Sequence, residues 1–531
     1  MTFDLITQPW LPIVGTSGEL YEVGLADLVR RAHESRRIAG ESPTMTAALH
    51  RLVLAFTHRV YGPSDEDAWN RLWMADGFDT APIEEYVRQW PGRFDLFHPS
   101  RPFLQCPLLA SCTTITPAKL VMYRAAGNNR TLFDHTTSER PVTIRPAEAA
   151  RWLVTLLFYD TGGTKSAYRK QRYSEPAPGN LFGCVLVEGS TLKETLLLNL
   201  LTYDPDHGVP HGTTHDDRPA WEAEPPQPEP DERSPLGWTD MLTWPSRRVL
   251  LRHREGADGP IVDGAVITPG TRLRTGTAKQ IDLARAEHMA AYQRRTKAKQ
   301  GSLTPVKLQG RRGIWRHSQE LLLSPGETAP RRRPAAMDQI AMLAEYGSIP
   351  EDAVYTLRVM GQRLSDQGGS VRSWHEEAVP APIALLRAEL PEAEAPMGHA
   401  IWLADEVGKA LYGMEWNYLK TFGDVPDGSI SIDLLYWPRL TDPFRRFLLT
   451  FAEELRTQQP LASLSAWRDE VTNVAREAAR RWAEGAPRRG RYLLLAAEHV
   501  GRFEGRLSWL RKRFDSELTR DLPAPPEEAA V

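Results

Sequence analysis

Apolar residues spaced three and four apart mark helices at several places along the chain. In "SPTMTAALHRLVLAFTHRVYG" (Ser42–Gly62) that spacing lies between a Ser-Pro start and a Gly stop, which predicts one helix. A second is expected in "PAEAARWLVTLLFYD" (Pro146–Asp160), whereas "FDLITQPWLPIV" (Phe3–Val14) reads as extended chain broken by Pro9 and Pro12. "VMGQRLSDQGGSVRSWHE" (359–376) has the pattern of a hairpin, with Asp366-Gln367-Gly368-Gly369 at its tip. Four helical blocks follow, near 385–420, 429–457, 460–485 and 488–520, separated by the turn signals "GDVPDG", "TQQP" and "GAPRRG". Short connectors between four helices predict an antiparallel bundle.

The expected fold class is therefore α+β, with a large mixed N-terminal domain over 1–378, a four-helix bundle over 379–520 and a flexible tail over 521–531. A chain of 531 residues exceeds the usual size of one hydrophobic core, which agrees with more than one domain.

The net charge of −3 hides an uneven distribution. The stretch Asp204–Glu232 is rich in Pro, Gly and acid and reads as a long surface excursion, partly mobile. Between Arg272 and Arg333 fifteen Lys/Arg face four Asp/Glu, and Trp315 sits between Arg312 and Arg316, a mix that suits contact with phosphate and base. Arg476 to Arg513 holds eleven Lys/Arg against four Glu, which gives the bundle a basic edge. Three cysteines with no C-x-x-C pair argue for a reducing compartment and against a zinc ribbon. The N-terminus lacks the basic start and apolar run of a signal peptide, and no stretch of about 20 apolar residues is present. A cytoplasmic protein with no membrane partner is expected.

Candidate chemistry begins at "DTGGTKSA" (Asp160–Ala167). A glycine pair beside Lys-Ser resembles the end of a P-loop, but Thr164 separates Gly163 from Lys165, and a helix rather than a strand precedes the glycines. His207, His211 and His215, followed by Asp216 and Asp217, are metal-ligand types. Spacing of four aligns such ligands only on a helix, which two Gly and a Pro oppose, and a solvated loop is the plainer reading. No catalytic residue, metal or cofactor is assigned; the alternative class is a metal- or nucleotide-dependent hydrolase built on those histidines or on the glycine loop. "RAAGNNRTLFDHTT" (Arg124–Thr137) reads as a loop carrying Arg124, Arg130 and Phe133, a ring set either for base stacking or for its own core.

"FDLITQPWLPIV", "RFDLFHPSRPFLQ" (93–105), "GNNRTLFDHT", "DTGGTKSA" and "SDQGG", in that order, resemble the CasA family, the large subunit of the type I-E CRISPR Cascade complex. The resemblance spans nearly the whole chain. It implies a non-catalytic subunit at the 5′ end of a guide RNA that reads a protospacer-adjacent motif (PAM) in duplex DNA and helps open it, while base pairing reads the target. By resemblance, Gly162, Gly163, Thr164 and Lys165 enter the minor groove beside the PAM, with Lys165 on phosphate. Gln367 is the wedge that holds the first step unstacked, with Asp366 beside it and Gly368 and Gly369 supplying the turn. Asn128, Asn129, Arg130 and Phe133 contact the guide 5′ handle and other Cascade subunits. Lys279, Lys297 and Lys299 are candidates for a PAM-contacting lysine. Arg476, Arg480, Arg481, Arg488, Arg489 and Arg491 form a phosphate track on the bundle, which helps position the CRISPR helicase-nuclease.

Overall fold

The computed structural model describes residues 2–122, 142–274, 276–294, 303–324, 331–387, 390–421, 432–458, 461–485, 487 and 489–521. The chain divides into two compact units. The first comprises Met1–Leu308, Pro334–Gln339 and Thr356–Ala378; the second comprises Gln309–Arg333, Ile340–Tyr355 and Val379–Val531.

In the first unit, β1 (Leu11–Gly15) pairs antiparallel with both β2 (Leu20–Val23) and β3 (Ser35–Ile38). The helix expected after Ser42 is α1 (Pro43–Tyr61). The Ser42 hydroxyl accepts from Met45 N–H at 3.1 Å, which satisfies one of the helix's orphan donors, and Pro43 sits where a missing N–H costs nothing. Thr44 through His58 are all buried, so α1 is a core helix rather than an amphipathic one. It packs beside α2 (Pro146–Tyr159), the second expected helix. Charges inside this core are paired. Arg51 meets Glu287 at 3.0 Å, and Arg151 meets Glu22 at 2.8 Å.

Directly after α2 the chain turns into a hairpin of β4 (Gly163–Tyr168) and β5 (Gln171–Ser174), which lies against the long ribbon made by two later strands. β6 (Cys184–Glu188) is apolar on both faces and runs into α3 (Leu192–Asn199). After α4 (Trp238–Leu242) comes that ribbon, β7 (Arg247–Gly256) and β8 (Gly259–Pro269), and then α5 (Gly276–Ala286). β9 (Val354–Leu364) pairs antiparallel with β6, with Leu357 opposite Val187 and Met360 opposite Cys184. β10 (Val371–Pro382) completes a three-stranded sheet in the order β10-β9-β6. The hairpin expected at 359–376 is thus present. Its turn closes by Ser365 N–H donating to Ser370 O at 2.8 Å and Gly368 N–H donating to Ser365 O at 2.7 Å.

The acidic stretch 204–232 keeps exposed positions, as expected of a surface excursion, but is anchored at buried ones. Two of its acids, Asp217 and Glu222, are buried with partners, while Asp206, Asp216, Glu224, Asp231 and Glu232 are exposed. Asp217 accepts from Thr239 N–H, Thr239 Oγ1, Asp240 N–H and Tyr203 Oη at 2.9–3.0 Å, capping α4. Glu222 receives the Arg59 guanidinium at 2.7 and 2.9 Å and Tyr86 Oη at 2.6 Å, while Trp221 Nε1 donates to that Tyr86 oxygen. Proline and acid marked a segment of irregular backbone, and its long-range partners lie too far along the chain to be read locally.

The second unit carries the four long helices: α6 (Leu390–Thr421), α7 (Thr441–Arg456), α8 (Ala462–Glu484) and α9 (Gly490–Asp521). α8 packs against each of the other three, and α6 packs along α9. Trp315 does not offer its ring to bases. It stacks on Phe444 with ring centroids 4.4 Å apart, edge-on to Trp467, and is 3% exposed. Its neighbour Arg316 grips Asp405 by two bonds of 2.5 and 2.7 Å. The basic-aromatic mix is therefore a core anchor flanked by an internal ion pair.

Candidate nucleic-acid interface

The site is built at the C-terminal end of α2. Asp160, the residue after that helix, accepts from Arg247 Nε at 2.5 Å and Lys165 Nζ at 2.7 Å on the same oxygen. Burial pushes the Asp160 carboxyl up, but Arg247 and Lys165 outweigh it and hold the group below the usual carboxylate range. Burial also depresses the Lys165 ammonium; Asp160 pulls it back, and Arg247 and Lys119 push it lower. Arg247 donates further to Thr161 O at 3.0 Å and Glu175 O at 2.7 Å, so one guanidinium ties together both roots of the β4–β5 hairpin.

The two glycines between these roots do different work. Gly162 is buried, and a Cβ there would lie 2.9 Å from Pro176 Cδ, so only a hydrogen fits. Gly163 has φ +109°, a conformation other residues adopt at a cost, and nothing lies within 4 Å of where its Cβ would be. It presents bare backbone to open space.

The turn of β9–β10 stands against this edge. Gly162 N–H donates to Gly368 O at 2.8 Å, and Gly368 itself has φ +70°. Beneath the turn, Gln362 Nε2 donates to Tyr159 O at 2.7 Å and Asn180 Oδ1 at 2.8 Å, and its own oxygen accepts from Trp374 Nε1 at 3.2 Å. The hairpin is thereby fixed to the end of α2. Gln367 at the tip is exposed and makes no hydrogen bond among the described residues. Asp366 is 91% exposed, 3.4 Å from Arg372.

Between glycine edge and turn lies a groove of about 650 Å³, bordered by Lys119, Gly163, Thr164, Ile267, Arg372 and Trp374. That volume accepts a nucleotide-sized group. The strand pairing sets Tyr173, 68% exposed, opposite Thr164 of the groove's border. Sequence reasoning missed Lys119, Arg372 and Tyr173. Arg372, six residues past the acid of the tip, was legible as a hairpin flank, but Lys119 stands in "TPAKL" with no local signal.

The other sequence candidates are distributed as follows. Lys279 on α5 is ion-paired with Glu175 at the root of β5. Arg476 meets Glu504 at 3.2 Å, Arg480 and Arg481 share Glu477, and Arg489 is exposed. Asn128, Asn129, Arg130, Phe133, Lys297, Lys299 and Arg488 lie outside the described residues. His207 turns to Asp204 at 2.6 Å and His215 lies 3.8 Å from Asp216, and no group of three or more His, Cys, Asp or Glu among the described residues is placed to hold a metal ion. The glycines lead into a strand, not a helix, so the phosphate cradle of a P-loop is not formed. No described helix is long and apolar enough to cross a membrane.

Comparison with known proteins shows the family. The profile of the CRISPR-associated protein Cse1 family matches residues 4–478. The CRISPR-associated protein CasA/Cse1 of Thermus thermophilus is 32% identical over 95% of this chain and 98% of its own length. The crystal structure of Thermobifida fusca Cse1 superposes with a TM-score of 0.80 at 27% identity, over 96% of this chain and 98% of that one. A chain of a CRISPR RNA-guided surveillance complex shares the fold at a TM-score of 0.71 and 22% identity, over 96% of this chain and 99% of that one.

Proposed function

The chain belongs to the CRISPR-associated Cse1 (CasA) family, and from that premise we propose that it is the subunit of an RNA-guided surveillance complex that reads the PAM in duplex DNA and starts its opening. One observation carries this reading: the hydrogen bond from Gly162 to Gly368 joins the side-chain-free edge and the glutamine-tipped turn into one groove. A bare backbone edge fits a minor groove, where base edges must approach closely and where A·T is told from G·C more readily than from T·A. An exposed, unbonded Gln367 fits insertion beside that contact, where holding a step unstacked costs a few kcal/mol. Neither role breaks or makes a covalent bond, which is why we assign no catalytic residue.

In the same reading, the Asn128–Phe133 segment contacts the guide 5′ handle and neighbouring subunits. The basic side of the second unit helps dock the helicase-nuclease, with Arg489 the better phosphate contact because Arg476, Arg480 and Arg481 already have acidic partners.

The test is duplex binding by the guide-RNA complex assembled with and without this chain. PAM-positive duplex should be preferred only when the chain is present. Equal binding to PAM-positive and PAM-negative duplexes by the full complex would overturn the reading.

A further inference from the structure

Lys165 was the expected phosphate contact of the glycine edge, but its ammonium is 2.7 Å from Asp160 and its side chain is only 12% exposed. Moving it to a phosphate would strip Asp160 of one of two cations and expose a carboxylate to the incoming anion. The groove nevertheless needs positive charge to hold DNA, because neutralising phosphates and releasing their counterions supplies most of the sequence-independent affinity. Two other cations border it. Lys119 is exposed on the Ile115–Met122 wall, and no acidic residue among the described ones lies within ion-pair distance of it. Arg372 stands on the Gly369–Trp374 wall, 56% exposed, and its acidic neighbour is the almost fully solvated Asp366 at 3.4 Å. An ion pair that open is worth little, so Arg372 can exchange it for a phosphate at small cost. Lys119 gives up no ion pair with any described residue.

We propose that Lys119 and Arg372, on separate walls of the groove, are its phosphate-binding pair, and that Lys165 is a structural cation that holds the root of the glycine hairpin. This rests on the duplex-reading function above and adds which charges hold the backbone. A DNA duplex is the partner, since both groups offer cationic donors and neither wall supplies an acid able to hold a cationic ligand. Arg372 adds a forked donor suited to a phosphate's two oxygens, while Lys119 acts as a point charge.

The experiment is the salt dependence of PAM-duplex binding by the assembled complex carrying Lys119→Ala, Arg372→Ala, both, or Lys165→Met, with Gly163→Leu as the control for the groove itself. Lys119→Ala and Arg372→Ala should each weaken PAM-positive and PAM-negative duplexes alike and lower the slope of log K against log salt by about 1, and the double variant by about 2. Lys165→Met should leave that slope unchanged and lower the thermal midpoint of the isolated subunit. A full slope in the double variant, or a slope lost in Lys165→Met at unchanged thermal midpoint, would overturn the assignment. If Gly163→Leu also binds duplex normally, the groove reading itself fails; if Gly163→Leu weakens binding while the double variant keeps its slope, only the phosphate assignment fails.

Discussion

The backbone N–H of Gly162 and the carbonyl oxygen of Gly368 are hydrogen-bonded at 2.8 Å, although they stand far apart in the sequence of the first unit. The bond couples the start of the β4–β5 hairpin to the turn of β9–β10. A disturbance at either glycine therefore reaches the other.

Gly162→Ala tests that coupling. Its Cβ would sit 2.9 Å from Pro176 Cδ, inside contact distance of a rigid ring, so the backbone at Gly162 or Pro176 must shift. Overpacking of this kind costs about 1–3 kcal/mol. The thermal midpoint of the isolated subunit should fall, and PAM-duplex affinity of the complex should fall with it.

Gln367→Ala separates function from stability. The side chain is exposed and unbonded, so its loss should change folding stability by no more than about 0.5 kcal/mol in a denaturant titration. Opening of the PAM-proximal base pairs, followed by permanganate reactivity of unpaired thymines, should slow severalfold. Unchanged opening would remove the wedge role.

The contrast between these two residues shows what the sequence made legible. Helix α1, the β9–β10 turn and the four long helices announce themselves through caps, spacing and glycine, all local signals. The buried partners of Asp217, Glu222, Trp315 and Lys165 are not local. An acid-rich run, or a tryptophan between arginines, has the same composition whether its charges face water or each other, and only the tertiary contact decides. For the same reason Lys165 drew attention from its place beside the glycines, while Lys119, with no motif around it, did not.

Trp315→Ala is the corresponding test in the second unit. Removing a buried ring stacked on Phe444 and set against Trp467 should cost about 3–5 kcal/mol in a denaturant titration. DNA binding per folded molecule should be unaffected, because the ring faces the core. A selective loss of binding at full stability would restore the base-contact role.

Acid should weaken the first unit through two histidines. Nδ1–H of His58 donates to Leu54 O at 2.7 Å and Nε2 accepts from Leu201 N–H at 3.1 Å, which fixes a neutral ring; His50 bonds Thr46 O at 2.8 Å. Burial pushes both down to about 4. The unfolded chain takes up these protons near pH 6.5 and the folded one only near 4, so the stabilisation is complete above pH 6.5 and is lost as pH falls towards 4, on the order of 3 kcal/mol per histidine. The thermal midpoint, measured from pH 7.5 to 4.5, should drop across that window. The drop should be shallower in His58→Gln.

The most direct measurement is binding of the assembled complex carrying Gly163→Leu to two targets, a closed PAM duplex and the same sequence already opened beside the PAM. Gly163 meets no neighbour, so the added side chain projects into open space at the groove, and the strain of its φ of +109° is shared by both measurements. If bare backbone at this edge enters the duplex, affinity for the closed target should fall at least tenfold more than affinity for the opened one. Equal losses on the two targets would contradict the role of this groove in reading duplex DNA.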